Sequence, residues 1–164
     1  GHDHVPYDVC WKRATSAIKS LVKTAQRHRV ALAVENVWNM FLLSPLEMKD
    51  FIDQFKSKWV GCYFDTGNCI KDGFAEDWIS ILGKRIKRVH FKDYKRNWKS
   101  DAAKCEPLDG FCDILDGDCN YPAVMEQLEK TGYEGPCTVE EIEGRDLRWM
   151  RKISKRVDKI FDMA

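Results

Sequence analysis

Residues 30–35 read Val-Ala-Leu-Ala-Val-Glu, an apolar run that ends in a single carboxylate. A short continuous apolar run of this kind is typical of a strand that is buried on both faces in a parallel sheet. Before it, apolar residues recur at helical spacing, which predicts an amphipathic helix over residues 8–28. After it, Ser44-Pro45-Leu46-Glu47 has the form of a capping box with proline in the first turn, which predicts the start of a helix.

The same alternation of strands and helices continues to the end of the chain. Strands are predicted over residues 60–65, 86–90 and 137–142, and helices over residues 76–82, 121–130 and 146–162. The last helix is predicted to bury Leu147, Met150, Ile153, Val157, Ile160 and Phe161. This order predicts an α/β fold with right-handed βαβ units and one four-stranded parallel sheet. A long loop at about residues 93–119 interrupts the pattern, and loops of that length in compact domains often cover an active site.

Composition limits the classes of protein to which the chain can belong. Its 164 residues are 44% hydrophobic, which is enough for one domain with its own core. The 27 Lys and Arg residues balance the 26 Asp and Glu residues, so the overall charge does not predict a nucleic-acid or membrane partner. Neither a membrane span nor a secretory signal is recognisable, and we expect a cytoplasmic protein. The seven cysteines contain no C-x-x-C pair and are expected to be reduced.

Each predicted strand ends in a side chain that can bind a metal ion. Glu35 closes the first strand, Asp65 the second, His90 the third and Glu140 the fourth. Because ligands of parallel α/β proteins gather at the carboxyl ends of the strands, we expect these four side chains to lie together. Three carboxylates and one imidazole suit Mn²⁺ or Mg²⁺, and they also accept Co²⁺ or Zn²⁺. The sequence therefore predicts a site for one divalent metal ion, with Mn²⁺ preferred.

Four motifs carry a resemblance to a known family: Val34-Glu35-Asn36, Phe64-Asp65-Thr66-Gly67-Asn68, Val89-His90-Phe91-Lys92-Asp93 and Gly132-Tyr133-Glu134-Gly135-Pro136-Cys137-Thr138-Val139-Glu140. In this order and strand context they resemble the xylose isomerase-like TIM-barrel superfamily, in its sugar-phosphate isomerase/epimerase branch. The nearest likeness is to L-ribulose-5-phosphate 3-epimerase and hexulose-6-phosphate isomerase-type proteins. The resemblance runs from Val5 onward and covers strands five to eight of a (β/α)8 barrel. It implies that residues 1–164 form a single partial TIM-barrel domain, the C-terminal half of such a barrel.

The resemblance also implies a site and a reaction. In that family, the groups at the positions of Glu35, Asp65, His90 and Glu140 bind one divalent metal ion, and the two glutamates form an acid/base pair. The ion would bind two adjacent oxygens of a ketose or ketose phosphate, and one glutamate would remove the proton beside the carbonyl to give an enediolate. The other glutamate would return a proton. The implied activity is that of a metal-dependent sugar or sugar-phosphate epimerase or isomerase.

Three further residues are implied as substrate contacts, namely Asn68, Lys92 and Arg96. Asn68 stands where several relatives that act on free ketoses have a histidine, which favours a phosphorylated sugar. A half barrel exposes two sheet edges and an apolar inner face, so we expect it to form a homo-oligomer or to pair with the missing N-terminal half. The expected partners are therefore a small sugar or sugar phosphate and a completing half barrel, without nucleic acid or membrane.

Three other functions stay open from the sequence alone. A catalytically inactive fragment or binding module would keep the fold without turnover, and ketose turnover with Mn²⁺ would exclude it. An inosose dehydratase-like lyase would begin with the same proton abstraction. A metal-dependent hydrolase like the apurinic-site endonucleases needs several histidines for three zinc ions, and beyond His2 and His4 the chain offers only His28 and His90.

Overall fold

A computed structural model describes residues 4–96, 110–140 and 146–164 of the chain. The elements are α1 (Tyr7–His28), β1 (Leu32–Glu35), α2 (Pro45–Asp53), β2 (Val60–Asp65), α3 (Thr66–Ile70), α4 (Ala75–Leu82), β3 (Ile86–Phe91), β4 (Asp93–Tyr94), β5 (Phe111–Cys112), α5 (Tyr121–Lys130), β6 (Cys137–Val139) and α6 (Leu147–Phe161). The predicted α/β class is confirmed. Residues 97–109 of the predicted long loop, and the end of the strand predicted over 137–142, lie outside the described residues.

The sheet has the strand order β1-β2-β3-β6, and each neighbouring pair is parallel. Neighbouring strands also follow one another along the chain, with helices between them, as they do in part of a TIM barrel. Glu35 pairs with Tyr63, two residues before Asp65, whereas His90 pairs with both Asp65 and Thr138. The strand ends are therefore stepped across the sheet, as they are in a barrel whose strands tilt relative to its axis. This stagger brings the ends of β1, β2, β3 and β6 to one rim.

The core lies between the sheet and the helices that cover its outer face. Cys62 and Phe64 of β2 are fully buried there, together with Phe51 of α2 and Ile79 of α4. Because side chains alternate along a strand, the residues between and after them, such as Asp65, point to the opposite, inner face. Helix packing thus fixes which face of the sheet presents the strand-end polar groups.

Helix α6 departs from the burial predicted by its helical spacing. Ile153 and Ile160 are buried, but Leu147, Met150 and Phe161 are exposed by 71%, 52% and 48%. Within the described residues α6 packs mainly on α5, so only one side of its apolar stripe is covered. The prediction was therefore wrong for the residues at the two ends of this helix.

Two sequence predictions concern the cysteines and the membrane. Six cysteines within the described ranges are free thiols: Cys10, Cys62, Cys69, Cys112, Cys119 and Cys137. Cys105 lies outside those ranges. None of the described helices has both the length and the apolar character needed to cross a bilayer.

The segment after β3 is organised around the buried carboxylate of Asp93. Its Oδ1 accepts hydrogen bonds from the backbone N–H groups of Tyr94 and Cys119, at 2.9 and 3.0 Å. Its Oδ2 accepts from the backbone N–H groups of Leu115 and Gly117, at 3.0 and 3.1 Å. A Cβ atom at Gly117 would lie 2.1 Å from Asp93 Oδ1, so this close approach requires glycine. One side chain thus fixes the path of the chain from Leu115 to Cys119.

Replacing Asp93 with alanine is expected to lower the free energy of unfolding by about 2–4 kcal/mol, because several partly buried N–H donors lose their acceptor. Urea unfolding of the metal-free protein measures this change. Asp93→Asn keeps one acceptor oxygen and is expected to lose less stability. Equal stability of Asp93→Ala and the wild type would show that the hydrogen bonds to the Asp93 carboxylate do not stabilise this segment.

Candidate metal centre

Four strand-end side chains converge at the carboxyl edge of the sheet. One oxygen from each of Glu35, Asp65 and Glu140 and one ring nitrogen of His90 all lie within 4.8 Å of one another. The Nδ1 atom of His90 is 3.3 Å from Glu35 Oε1, 3.7 Å from Asp65 Oδ2 and 3.7 Å from Glu140 Oε2. The structure therefore brings together all four residues that the sequence predicted as metal ligands, with Nδ1 of the imidazole facing the three carboxylates.

Asp65 is the most buried member of this cluster, with no exposed surface. Its Oδ1 accepts a hydrogen bond from the backbone N–H of Asn68 at 2.7 Å and so caps α3, whereas its Oδ2 has no hydrogen-bond partner. The side chain of Asn36 braces the same strand end, because it accepts from the Asp65 N–H at 2.8 Å and donates to the Asp65 carbonyl at 2.9 Å. Both neighbours therefore hold Asp65 rigidly.

The environment of Asp65 fits a bound cation. Burial, reinforced by the negative charge of Glu140, raises the pKa of Asp65 to about 7. A buried carboxylate oxygen without a donor destabilises the folded state, and a divalent cation among three carboxylates removes that penalty. Hard oxygen donors with one imidazole are the ligands that Mn²⁺, Mg²⁺ and Zn²⁺ accept. The residues present therefore fit one divalent metal ion.

Lys92 lies at the edge of the cluster, beside one of the two glutamates. Its Nζ is 3.2 Å from Glu140 Oε2 and 4.3 Å from the centre of the Phe111 ring, which β5 supplies. Partial burial alone would raise the pKa of Glu140, but the hydrogen bond and charge of Lys92 outweigh it, and the pKa is lowered. Of the three predicted substrate contacts, Lys92 is thus the one that is ion-paired to a member of the cluster.

The other two predicted substrate contacts brace the surrounding loops. The side-chain amide of Asn68 donates to the carbonyl of Asn36 at 3.0 Å and so ties the end of β1 to α3. The Nε atom of Arg96 donates to the carbonyl of Ile70 at 2.5 Å, and its guanidinium also donates to the carbonyl of Gly73. Asn68 therefore lies next to Asp65, whereas Arg96 clamps the turn between α3 and α4.

Sequence reasoning missed the partners of His90 on the inner face. The hydroxyl of Tyr63 lies 2.5 Å from His90 Nε2 and 2.7 Å from the hydroxyl of Thr138. The alternation of side chains places Tyr63 on the same face as Asp65, and Thr138 on the same face as Glu140. That shared face was the signal that could have identified both hydroxyls.

A cavity of about 330 Å³ opens beside the cluster, between the loop after β1 and the turn after α3. It shares Asn36 and Asn68 with the scaffold of Asp65. Trp38, Leu42 and Trp78 contribute apolar walls. None of the four clustered side chains lines it, so the cavity adjoins the candidate metal centre and does not contain it.

Comparison with curated proteins finds similar enzymes of about twice this length. The chain is 28% identical over 163 residues to the inosose dehydratase of Salmonella agona (strain SL483), covering 92% of this chain and 54% of that protein. The inosose dehydratase of Salmonella typhimurium matches to the same extent. The chain thus spans about half the length of the curated relatives that it matches.

Solved structures and a family model agree on the fold. The D-psicose 3-epimerase of Clostridium cellulolyticum H10, solved with D-tagatose, superposes with a TM-score of 0.76 at 16% identity, over 98% of this chain and 58% of that chain. The IolI protein with a bound zinc atom gives a TM-score of 0.78 at 13% identity, over 97% of this chain and 59% of that chain. Residues 1–156 match the family model described as xylose isomerase-like TIM barrel. With its partial barrel of parallel strands, this chain belongs to the xylose isomerase-like TIM barrel family.

Proposed function

We propose that this chain is the metal-binding half of an enzyme that removes a proton beside the carbonyl of a sugar or sugar phosphate, as an epimerase or isomerase. The observation that carries the proposal is the cluster of Glu35, Asp65, His90 and Glu140, in which Asp65 Oδ2 is buried without a donor. The similarity to a D-psicose 3-epimerase supports a sugar as the substrate class.

The four clustered residues would hold one divalent metal ion. When bound, such an ion supplies positive charge to the oxygens of the substrate and so makes the neighbouring C–H more acidic. The predominance of carboxylate donors supports Mn²⁺, and the zinc atom in the similar IolI structure supports Zn²⁺ as an alternative. An N-terminal half barrel or a second copy of the chain would complete the wall of the site.

The two glutamates are proposed as the acid/base pair. Glu35 ends β1 and Glu140 follows β6, so they approach the site from the two outer strands of the sheet. The ammonium of Lys92 lies 3.2 Å from Glu140 Oε2 and is a proton source on that side of the site, so we assign the first proton removal to Glu35. The proton returned to the other face of the substrate would come from the ammonium of Lys92, passed through the carboxylate of Glu140. Asn68, Lys92 and Arg96 are kept as proposed substrate contacts, with Lys92 ion-paired to a member of the cluster.

A dehydratase is the second candidate. The identity of 28% to inosose dehydratase over 92% of this chain favours it. The ammonium of Lys92, 3.2 Å from Glu140 Oε2, offers an acid for a leaving hydroxyl group. Both reactions begin with the same proton removal, and they differ in whether water is lost afterwards.

A calorimetric titration with Mn²⁺ tests the metal centre directly. The wild-type chain is expected to bind about one ion, and His90→Ala is expected to bind at least about tenfold more weakly because the only nitrogen donor is lost. His28→Ala is the matched control, since His28 is exposed on α1 and is expected to leave the affinity unchanged. Equal affinity of the wild type and His90→Ala would contradict the proposed centre. Product analysis by NMR with D-tagatose and with inosose then separates epimerisation from dehydration.

A further inference from the structure

A chain of hydroxyl groups connects His90 to a backbone carbonyl on the inner face of the sheet. Tyr63 Oη lies 2.5 Å from His90 Nε2 and 2.7 Å from Thr138 Oγ1. Thr138 Oγ1 in turn donates to the carbonyl oxygen of Val89 at 3.4 Å. The rings of Tyr63 and His90 also pack together, with centroids 4.1 Å apart. Three neighbouring strands, β2, β3 and β6, therefore contribute to one line of contacts.

The end of this line sets the direction of its hydrogen bonds. A carbonyl oxygen only accepts, so in the contact between Thr138 and Val89 the hydroxyl of Thr138 is the donor. When Thr138 donates there, its oxygen accepts the proton of Tyr63, and the oxygen of Tyr63 accepts from His90 Nε2–H. We propose that Tyr63 and Thr138 are positioning residues that fix the Nε2–H tautomer of His90 and leave the Nδ1 lone pair free for the metal ion.

The other ring nitrogen faces the carboxylates, where a metal ion and a proton compete for the same lone pair. Nδ1 faces Glu35, Asp65 and Glu140 at 3.3, 3.7 and 3.7 Å. A proton on Nδ1 would occupy the lone pair that a metal ion needs, and metal-binding histidines generally donate their second ring N–H to a fixed acceptor. The hydroxyl of Tyr63 is that acceptor here. The inference rests on the proposed metal centre and adds a role for two side chains that lie outside the four-residue cluster.

The tautomer can be read by long-range ¹H–¹⁵N NMR of the ¹⁵N-histidine-labelled chain with Zn²⁺, which is diamagnetic. The His90 signals are assigned by their loss in His90→Gln. In the zinc-loaded wild type we expect a protonated Nε2 and a metal-bound Nδ1. Tyr63→Phe is expected to weaken zinc binding about 10- to 100-fold and to expose Nε2–H to rapid exchange.

Matched variants separate this role from general packing. Thr138→Val removes the second hydroxyl and is expected to weaken zinc binding by a smaller factor, whereas Thr138→Ser keeps the hydroxyl and should restore wild-type affinity. Tyr133→Phe is the control, because the Tyr133 hydroxyl donates to the carbonyl of Pro136 at 2.8 Å, before the start of β6. If circular dichroism shows that Tyr63→Phe does not fold, the two Thr138 variants decide the question.

The outcomes distinguish the positioning role of Tyr63 and Thr138 from the metal centre itself. Zinc ligation through Nε2 of His90 would overturn the positioning role and leave the metal centre intact. The same conclusion would follow if the Tyr63→Phe and Thr138→Val variants kept both wild-type affinity and a protected Nε2–H. Absence of zinc binding by the wild type would overturn the metal centre, and with it the positioning role of Tyr63 and Thr138.

Discussion

Replacing Glu35 or Glu140 with glutamine is expected to slow exchange of the substrate proton with solvent by at least about 100- to 1000-fold. Glutamine has nearly the same shape as glutamate, but its neutral amide cannot accept the proton. The exchange is measured by ¹H NMR in D₂O, as loss of the C–H signal beside the carbonyl of D-tagatose, D-fructose or inosose. The metal-loaded protein is used, and calorimetry confirms that the ion is bound in each variant.

Glu126→Gln is the control for this experiment. Glu126 lies on the exposed side of α5, where it pairs with Lys130 at 2.6 Å, and its loss is expected to leave exchange unchanged. Full exchange in both site variants would contradict the acid/base assignment. Loss of exchange in Glu35→Gln alone would support Glu35 as the first base. Absence of exchange with all three compounds, in the metal-loaded wild type both alone and together with a completing half barrel, would favour the binding-module alternative.

Replacing Asp65 with asparagine is expected to weaken metal binding at least about 100-fold while stabilising the metal-free protein at alkaline pH. The pKa of Asp65 is about 7 in the folded chain because the carboxyl is buried, against an ordinary value of 3.8. Between about pH 4 and pH 7 the folded state keeps this proton and the unfolded state loses it, so stability falls as pH rises. Asparagine removes this fall, which is worth on the order of 4 kcal/mol at pH 8.

Urea unfolding with a chelator present, repeated at pH 5 and pH 8, measures this gain in stability. Calorimetry with Mn²⁺ is expected to show at least about a 100-fold loss of affinity in Asp65→Asn. Asp53→Asn is the control. Asp53 lies at the end of α2, outside the metal cluster, and forms a partly exposed ion pair with Arg85 at 2.6 Å. An Asp65→Asn protein that is less stable than wild type at pH 8 would show that the buried charge is already compensated without metal.

Most of the fold could be predicted because its elements begin at local chemical signals. Ser44 accepts a hydrogen bond from the Glu47 N–H at 3.2 Å, as the capping box in the sequence predicts. Asn120 caps α5 in the same way and accepts from the Ala123 N–H at 3.4 Å. The short helix α3 was not predicted, since its five residues are too few to show a helical period. Asp65, which caps it, belongs at once to a strand end, a helix start and the candidate metal centre.

The candidate site was predictable only in part, for a physical reason. Ligand positions follow from strand ends and the alternation of side chains, which are local features of the sequence. The contact between Tyr63 and His90 joins residues from two strands and depends on their register, which includes an irregularity next to Tyr63. Likewise, the contacts of Arg96 with Ile70 and Gly73 depend on where two loops meet. Such long-range pairings are not encoded in any short motif.

The hairpin of β4 and β5 ties the chain after β3 to the chain before α5. The Lys95 N–H donates to the Gly110 carbonyl at 2.6 Å, and Asp93 pairs with Cys112. Lys92 directly precedes this hairpin, and its own backbone N–H donates to Thr66 Oγ1 at 3.0 Å. The lysine that reaches Glu140 therefore starts from an anchored backbone, so substitutions in the hairpin are expected to alter the site by moving Lys92.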